Sequence, residues 1–193
     1  MAAFWTLVTG LCCMAVIRVI QHMDQHLPGM EAGDMALLWL LAGVVFFVTD
    51  GNYLSTAVLF AICYIAAYTD YKTRNIYTIV NVAGLTAGVV INIVENKEFL
   101  AGMILVCILM LAFWFTGAMK WGDVELLVTV YPLMANIIGN QSQAFFVYLL
   151  LIMTALIISI VYNFKAIWKN WRYRTCYAPY HLAATILFLM IST

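Results

Sequence analysis

Residues 117–127 of the chain read GAMKWGDVELL, and this stretch decides how the rest of the sequence is interpreted. A glycine directly precedes Asp123, at the point where a short polar break gives way to an apolar run. A second acidic residue, Asp70, lies upstream, where the apolar run 53–69 meets the polar sequence 70–75. The sequence therefore predicts one carboxylate at the end of one hydrophobic helix and another at the start of a second.

The composition of the chain indicates a membrane protein. Of its 193 residues, 66% are hydrophobic and 9% are charged, whereas a soluble domain has about half apolar and a quarter charged residues. The formal net charge is zero, so no charge excess points to a nucleic-acid partner. These values predict an all-α polytopic bundle of helices whose surroundings are the lipid bilayer.

About eight transmembrane helices are predicted, because a spanning helix needs about 20 mostly apolar residues. The apolar segments are 4–20, 36–49, 53–69, 76–94, 99–118, 124–138, 144–163 and 178–192. Polar or turn-forming residues separate them, for example at 95–98 and 139–143. The second and sixth segments are short for a spanning helix.

The distribution of lysine and arginine predicts the orientation of the bundle, because cationic loops stay on the cytoplasmic side. With the N-terminus outside, all nine cations except Lys97 fall inside. The turns 70–75 and 119–123 then share the cytoplasmic face. The two aspartates, Asp70 and Asp123, are therefore expected at the same depth, on different helices.

Two neighbouring carboxylates can share one proton, since like charges a few ångströms apart cannot both ionise. The ionised member can activate water as a general base while the protonated member polarises a carbonyl. The simpler interpretation of each residue is structural, with Asp123 as N-cap of a helix that begins at Val124. The prediction that both aspartates lie on the same face of the membrane favours the catalytic hypothesis. Asp24 and Asp34 in the loop 21–35, and Asp50 on the outer face, are poorer candidates.

Three segments resemble the type IV prepilin peptidases, the GxGD-type membrane aspartyl proteases. Residues 66–76 (AAYTDYKTRNI) resemble the first aspartate motif, and residues 119–127 (MKWGDVELL) the GxGD motif. Residues 178–183 (APYHLA) resemble the proline-aromatic start of the last helix. The resemblance covers about 53–193 and implies a six-helix peptidase core there, with 1–52 forming N-terminal transmembrane helices and a cytoplasmic connector.

The resemblance implies that Asp70 and Asp123 are the catalytic pair, supported by Gly122, Lys120, Lys72 and Arg74. The implied substrate is a membrane-inserted, prepilin-like precursor of a pilus or secretion system, and no metal or other cofactor is needed. Cleavage of its leader is implied at the cytoplasmic boundary of the bacterial inner membrane. A catalytically inactive relative acting in assembly and a small proton-coupled transporter stay open as alternatives, and the oligomeric state is open.

The sequence departs from the family pattern at two motif positions. Lys120 stands where GxGD has its first glycine, and Tyr77-Thr78 replaces the usual Pro-Asn. The loop 21–35 contains no cysteine, unlike the methylating insertion of larger members. The resemblance therefore implies a compact peptidase without N-methylating activity.

The remaining polar residues are interpreted as structural. The five cysteines form no C-x-x-C pair. His22 and His26 are taken as part of a solvated connector rather than a metal site, and His181 receives no role. Asn81, Asn92 and Asn136 are expected to bond between helices. The cationic and aromatic run 165–174 is expected to anchor at the membrane edge.

Overall fold

The computed structural model describes residues 1–49, 51–169 and 175–191. Within these ranges the chain forms eight α-helices and no strand, which confirms the predicted all-α class. Asp50 lies outside the described residues, and so do Arg172, Arg174 and the rest of the predicted anchoring run from 170 onward. The helices are α1 (Ala2–Met23), α2 (Ala32–Val48), α3 (Tyr53–Thr73), α4 (Thr78–Val94), α5 (Leu100–Phe115), α6 (Trp121–Ile138), α7 (Gln141–Lys169) and α8 (Ala178–Ile191).

Three helical stretches in the described part of the chain are long and apolar enough to cross a bilayer: Ala2–Met23, Tyr53–Thr73 and Gln141–Ala166. Four shorter apolar helices, α2, α4, α5 and α8, accompany them. The two shortest helices are α8 and α5, with 14 and 16 residues. The second and sixth sequence segments, which were predicted to be short, form longer helices, α2 and α6. The observed architecture is a bundle of apolar helices.

Helix α3 is the central element of this bundle. It packs against α1, α2, α4, α6 and α8. Almost every side chain from Leu59 to Asp70 is buried, so the helix is enclosed on all sides. An enclosed helix is apolar around its whole circumference, which explains why this segment shows no amphipathic pattern. Helix α6 lies beside it and also contacts α4, α5 and α7.

Two helix boundaries differ from the sequence-based expectation. Helix α3 continues past Asp70 to Thr73 and ends at Arg74, whose φ of 59° is left-handed. Asp70 therefore lies in the last turn of the helix and not in a polar turn. Helix α6 begins at Trp121 with Lys120 as its N-cap, so the prediction of Asp123 as the N-cap is wrong. Asp123 is the third helical residue, because the extended backbone of Lys120 already ends the preceding loop.

The three asparagines bond between helices, as predicted. Asn92 Nδ2 donates to the carbonyl oxygen of Pro132 at 2.8 Å, and Asn81 Nδ2 to Glu125 Oε2 at 3.4 Å. The Asn136 side chain is fully buried, accepts from Ser55 Oγ at 2.5 Å and donates to Glu95 Oε2 at 3.0 Å. These bonds join α4 to α6, and they tie α6 to α3.

The connector between α1 and α2 is fastened to α3. Tyr64 Oη donates to the carbonyl oxygen of Asp34 at 2.8 Å, and Tyr68 Oη to that of Pro28 at 2.9 Å. Lys72 Nζ forms an ion pair with Asp34 Oδ2 at 3.2 Å. The three α3 residues are spaced four apart, so they lie on one face of the helix. The segment interpreted from the sequence as a solvated connector is therefore held against α3 at several points.

The two connector histidines, His22 and His26, are exposed. Among the described residues no group of three or more histidine, cysteine, aspartate or glutamate side chains is arranged to hold a metal ion. All five cysteines are free thiols.

Candidate active site

The two aspartate motifs meet at one end of the bundle through Ile76 and Gly122. A Cβ atom added to Gly122 would lie 3.3 Å from the Ile76 Cβ and 3.7 Å from the Ile76 carbonyl oxygen. The absence of a side chain at Gly122 thus lets the start of α6 approach the turn that follows α3. This contact places the last turn of α3 beside the first turn of α6.

Asp70 is held by the N-terminus of α8. Its residue is only 4% exposed, and Oδ2 accepts the backbone N–H of Ala178 at 3.2 Å. The backbone N–H of Tyr177 also acts electrostatically on the same carboxylate. Free N–H groups and the positive end of the helix dipole stabilise a carboxylate at this place. The Cys176 thiol donates to the Asp70 carbonyl oxygen at 3.2 Å, which adds a backbone contact.

Asp123 lies in the first turn of α6, before the apolar part of that helix and outside the membrane-spanning stretches. Its carboxylate lies close enough to the N-cap residue Lys120 for the Lys120 backbone N–H to act on it electrostatically. Burial, followed by repulsion from Asp70, raises the pKa of the Asp123 carboxyl to about 6, against the opposing effects of the Lys120 N–H and ammonium group.

The structure brings Asp70 and Asp123 close enough for their charges to repel each other. Each carboxylate faces the N-terminal end of a helix, α8 for Asp70 and α6 for Asp123. The two positive helix ends offset part of that repulsion. A pair of this kind can hold a single proton, with one carboxyl neutral and the other charged.

The predicted supporting cations fall into two groups. The exposed Lys120 acts electrostatically on both aspartates, and Arg74 acts on Asp70 and hydrogen-bonds the thiol of Cys176. Lys72 is directed away from the pair: it binds Asp34 and lies 5.8 Å above the Tyr68 ring. Lys120 and Arg74 therefore belong to the site, whereas Lys72 fastens the connector.

Comparison with known protein families matches residues 57–162, just over half of the chain, to the type IV leader peptidase family. The chain belongs to the type IV leader peptidase family. The matched range contains both Asp70 and Asp123. A search of curated proteins and a search of solved structures each found no match. Membership in the type IV leader peptidase family makes the chain a protease of the prepilin-peptidase kind, and its apolar helices agree with a membrane protein.

The lysine at position 120, where the motif has a glycine, causes no backbone strain. Its φ of −78° and ψ of 159° are ordinary extended values that any residue adopts, so no glycine is required at this position of the type IV leader peptidase motif. The left-handed conformation of the loop falls on Gly117, with φ 72°. The effect of the lysine is therefore one of charge.

Sequence reasoning missed the part that residues 176–178 play in the site. The segment beginning at 178 was interpreted only as the start of a helix, whereas its backbone N–H groups hold Asp70. The proline-aromatic pattern was the one local signal for this helix start. Two further polar side chains follow: Tyr177 and His181 stack with ring centroids 5.8 Å apart, and both are buried. The other acids lie apart from the pair, with Asp24 accepting from Tyr77 Oη and Asp34 bound to Lys72.

Proposed function

We propose that this protein is an aspartic endopeptidase that removes leader peptides from membrane-inserted, prepilin-like precursors at the cytoplasmic boundary of the bacterial inner membrane. The observation that carries the proposal is the meeting of Asp70 and Asp123 at one end of the bundle, where their charges interact. The family membership supports peptidase chemistry, and the paired carboxylates supply a means of performing it without a metal ion.

In the proposed reaction the pair shares one proton. Asp70 accepts the backbone N–H of Ala178 at the N-terminus of α8 and is assigned as the ionised member, which removes a proton from the attacking water. Asp123 is assigned as the protonated member, which donates a hydrogen bond to the scissile carbonyl and stabilises the developing oxyanion. The proton taken from the water then reaches the leaving amine, and the pair returns to its initial state.

We further propose that residues 53–193 form the peptidase core and residues 1–52 an N-terminal unit of helices with its connector. Among the described residues, those that bond to or act on the aspartate pair, such as Arg74, Lys120 and Ala178, lie at the ends of α3, α6 and α8 or in the turns beside them. The N-terminal unit contacts this core through α1 and α2 and through the Tyr64, Tyr68 and Lys72 bonds.

A cleavage assay on purified protein in lipid nanodiscs tests the proposal. The probe is a synthetic precursor with a lysine-rich leader directly before an apolar helix of about 20 residues. We expect cleavage at the leader boundary by the wild-type protein and loss of at least about a thousandfold in rate for Asp70→Asn and for Asp123→Asn. The control Glu98→Gln, an exposed carboxylate at the start of α5, should cleave at the wild-type rate.

Retained cleavage by the Asp123→Asn variant would refute the proposal that Asp70 and Asp123 act as a catalytic pair. A wild-type protein that cleaves no precursor while it remains folded in the membrane would instead support the inactive-relative hypothesis. Transport is disfavoured because both carboxylates lie in terminal turns of their helices, whereas transporter sites lie near mid-membrane between broken helices.

A further inference from the structure

An apolar groove runs along the surface between α2, α3 and α8. Its volume is about 690 Å³, and its walls include Leu37 and Leu41 of α2, Ala67 and Tyr68 of α3, and Leu182 and Leu187 of α8. Along α8 the wall extends from Pro179 to Leu187, which corresponds to about 12 Å of helix length. The groove is long enough to accept roughly two turns of another helix.

One end of this groove lies beside Asp70. Ala67 and Tyr71, which line the groove, precede and follow Asp70 on α3. Pro179 also lines it and directly follows Ala178, whose N–H binds the Asp70 carboxylate. A chain segment lying in the groove would therefore lead directly toward the aspartate pair.

The connector 21–35, which borders the groove at Asp34, is acidic, whereas Lys120 and Arg74 lie beside the aspartate pair itself. Of the described residues that line it, only Asp34 is charged, and Glu31 is exposed at the N-cap of α2. The connector 21–35 contains Asp24, Glu31 and Asp34 but no lysine or arginine. Lys72 neutralises only Asp34. This charge is unfavourable for the head group of an anionic lipid and favourable for a basic peptide segment.

We propose that this groove binds the apolar helix of the substrate precursor, with the basic leader passing over the acidic connector. The proposal rests on the proposed peptidase function and adds the surface that positions the scissile bond. Apolar contact in the groove holds the helix, and the connector attracts the leader. The boundary between the two segments then lies at the groove end, beside Asp70.

A second apolar groove provides a matched control. It lies between α1, α3 and α4 and has a volume of about 420 Å³, and the residues of the described chain that line it carry no charge. Val19 and Ile79 line it and are 59% and 58% exposed. Leu37 and Leu187 of the proposed binding groove are similarly accessible, at 50% and 45%. If both grooves contacted only lipid, these four positions should crosslink to the precursor equally often.

The test is photo-crosslinking in nanodiscs with benzoylphenylalanine at each of the four positions, in the Asp123→Asn protein so that the precursor stays intact. With the synthetic precursor, we expect crosslinks at Leu37 and Leu187 at least about five times as frequent as at Val19 and Ile79. A precursor whose leader lysines are replaced by serine should crosslink less at Leu37. Equal crosslinking at all four positions, or preference for Val19 and Ile79, would overturn the proposal.

A kinetic measurement separates this inference from the proposed function. In the otherwise wild-type protein, Ala183→Trp fills the binding groove and should raise KM at least about fivefold, with kcat little changed, since the pair itself is untouched. Ala83→Trp in the control groove should leave KM unchanged. Normal cleavage by Ala183→Trp with unchanged KM would reject the groove while leaving the peptidase proposal intact. If the Asp70→Asn and Asp123→Asn variants cleaved the precursor as fast as the wild-type protein, the peptidase proposal would be rejected instead.

Discussion

Gly122 and Ile76 are in contact where the two aspartate motifs meet, and a Cβ on the glycine would lie 3.3 Å from the isoleucine Cβ. Such a distance is shorter than ordinary van der Waals contact between carbons. Ile76 lies in the turn between α3 and α4, and Gly122 lies in the first turn of α6. They are close because α6 packs against both α3 and α4. The glycine before Asp123 therefore allows the first turn of α6, which carries Asp123, to approach the turn that follows the Asp70 helix.

Gly122→Ala is expected to lower the cleavage rate about tenfold without unfolding the protein. The added methyl group pushes the first turn of α6 away from Ile76, and displacements well below 1 Å at a catalytic pair are costly. The alanine also favours the helix by about 0.5–1 kcal/mol, which counteracts a loss of stability. Initial cleavage rates and thermal unfolding of the same samples measure both effects.

Gly43→Ala is the matched control for this substitution. Gly43 is a helical glycine of α2, and a Cβ there meets nothing within 4 Å. The control should gain the same helix propensity and cleave at the wild-type rate. If Gly122→Ala also cleaves at that rate, the contact with Ile76 has no catalytic importance.

Long apolar runs made the helices predictable from sequence, but their ends were less so. The prediction that α3 ends near residue 69 failed because Tyr71, Lys72 and Thr73 complete a last helical turn despite their polarity. Lys72 does so while bonded to Asp34, a tertiary contact that no local pattern contains. Asp123 was misplaced for a similar reason, since an acidic residue suits both the N-cap and the third helical position.

The pairing of the motifs was predictable, whereas the support for Asp70 was not. Shared sidedness of Asp70 and Asp123 followed from the charge distribution of the loops. The bond from Ala178 to Asp70 joins residues far apart in the sequence, and the donor is a backbone group that carries no side-chain signature. Only the packing of α8 against α3 reveals it.

Lys120→Met is expected to extend activity to higher pH. The Lys120 ammonium lowers the pKa of Asp123, so its removal raises that pKa from its present value of about 6. If Asp123 supplies the proton, cleavage falls as the pH rises through its pKa, and this decline should move upward in the variant. The rate of cleavage as a function of pH measures the shift.

Salt and a second lysine provide the controls for this pH effect. Lys120 is exposed, so a salt concentration of about 1 M should screen its charge and bring the two pH profiles together. Lys165→Met removes another exposed cation, on α7, and should leave the decline in place. A downward shift for Lys120→Met would contradict the assignment of the proton to Asp123.

Asn136→Leu is expected to destabilise the bundle by about 1–2 kcal/mol. The substitution leaves the buried Ser55 hydroxyl without its acceptor and removes the bond to Glu95. Thermal unfolding in detergent should show a lower Tm. Thr154→Val is the comparison, because the Thr154 hydroxyl bonds only within its own helix, to the carbonyl oxygen of Leu150 at 2.8 Å. An equal Tm for both variants would show that the bonds of Asn136 between helices do not stabilise the bundle.

Tyr68→Phe is expected to loosen the connector between α1 and α2. The lost bond to the Pro28 carbonyl oxygen, 2.9 Å long, contributes about 1 kcal/mol, which corresponds to roughly a fivefold increase in local opening. Limited proteolysis within residues 24–31 should accelerate by that factor. Tyr71→Phe changes the same kind of ring at a 68% exposed position and should leave the digestion rate unchanged. Equal rates for the two variants would show that the remaining bonds of Tyr64 and Lys72 hold the connector by themselves.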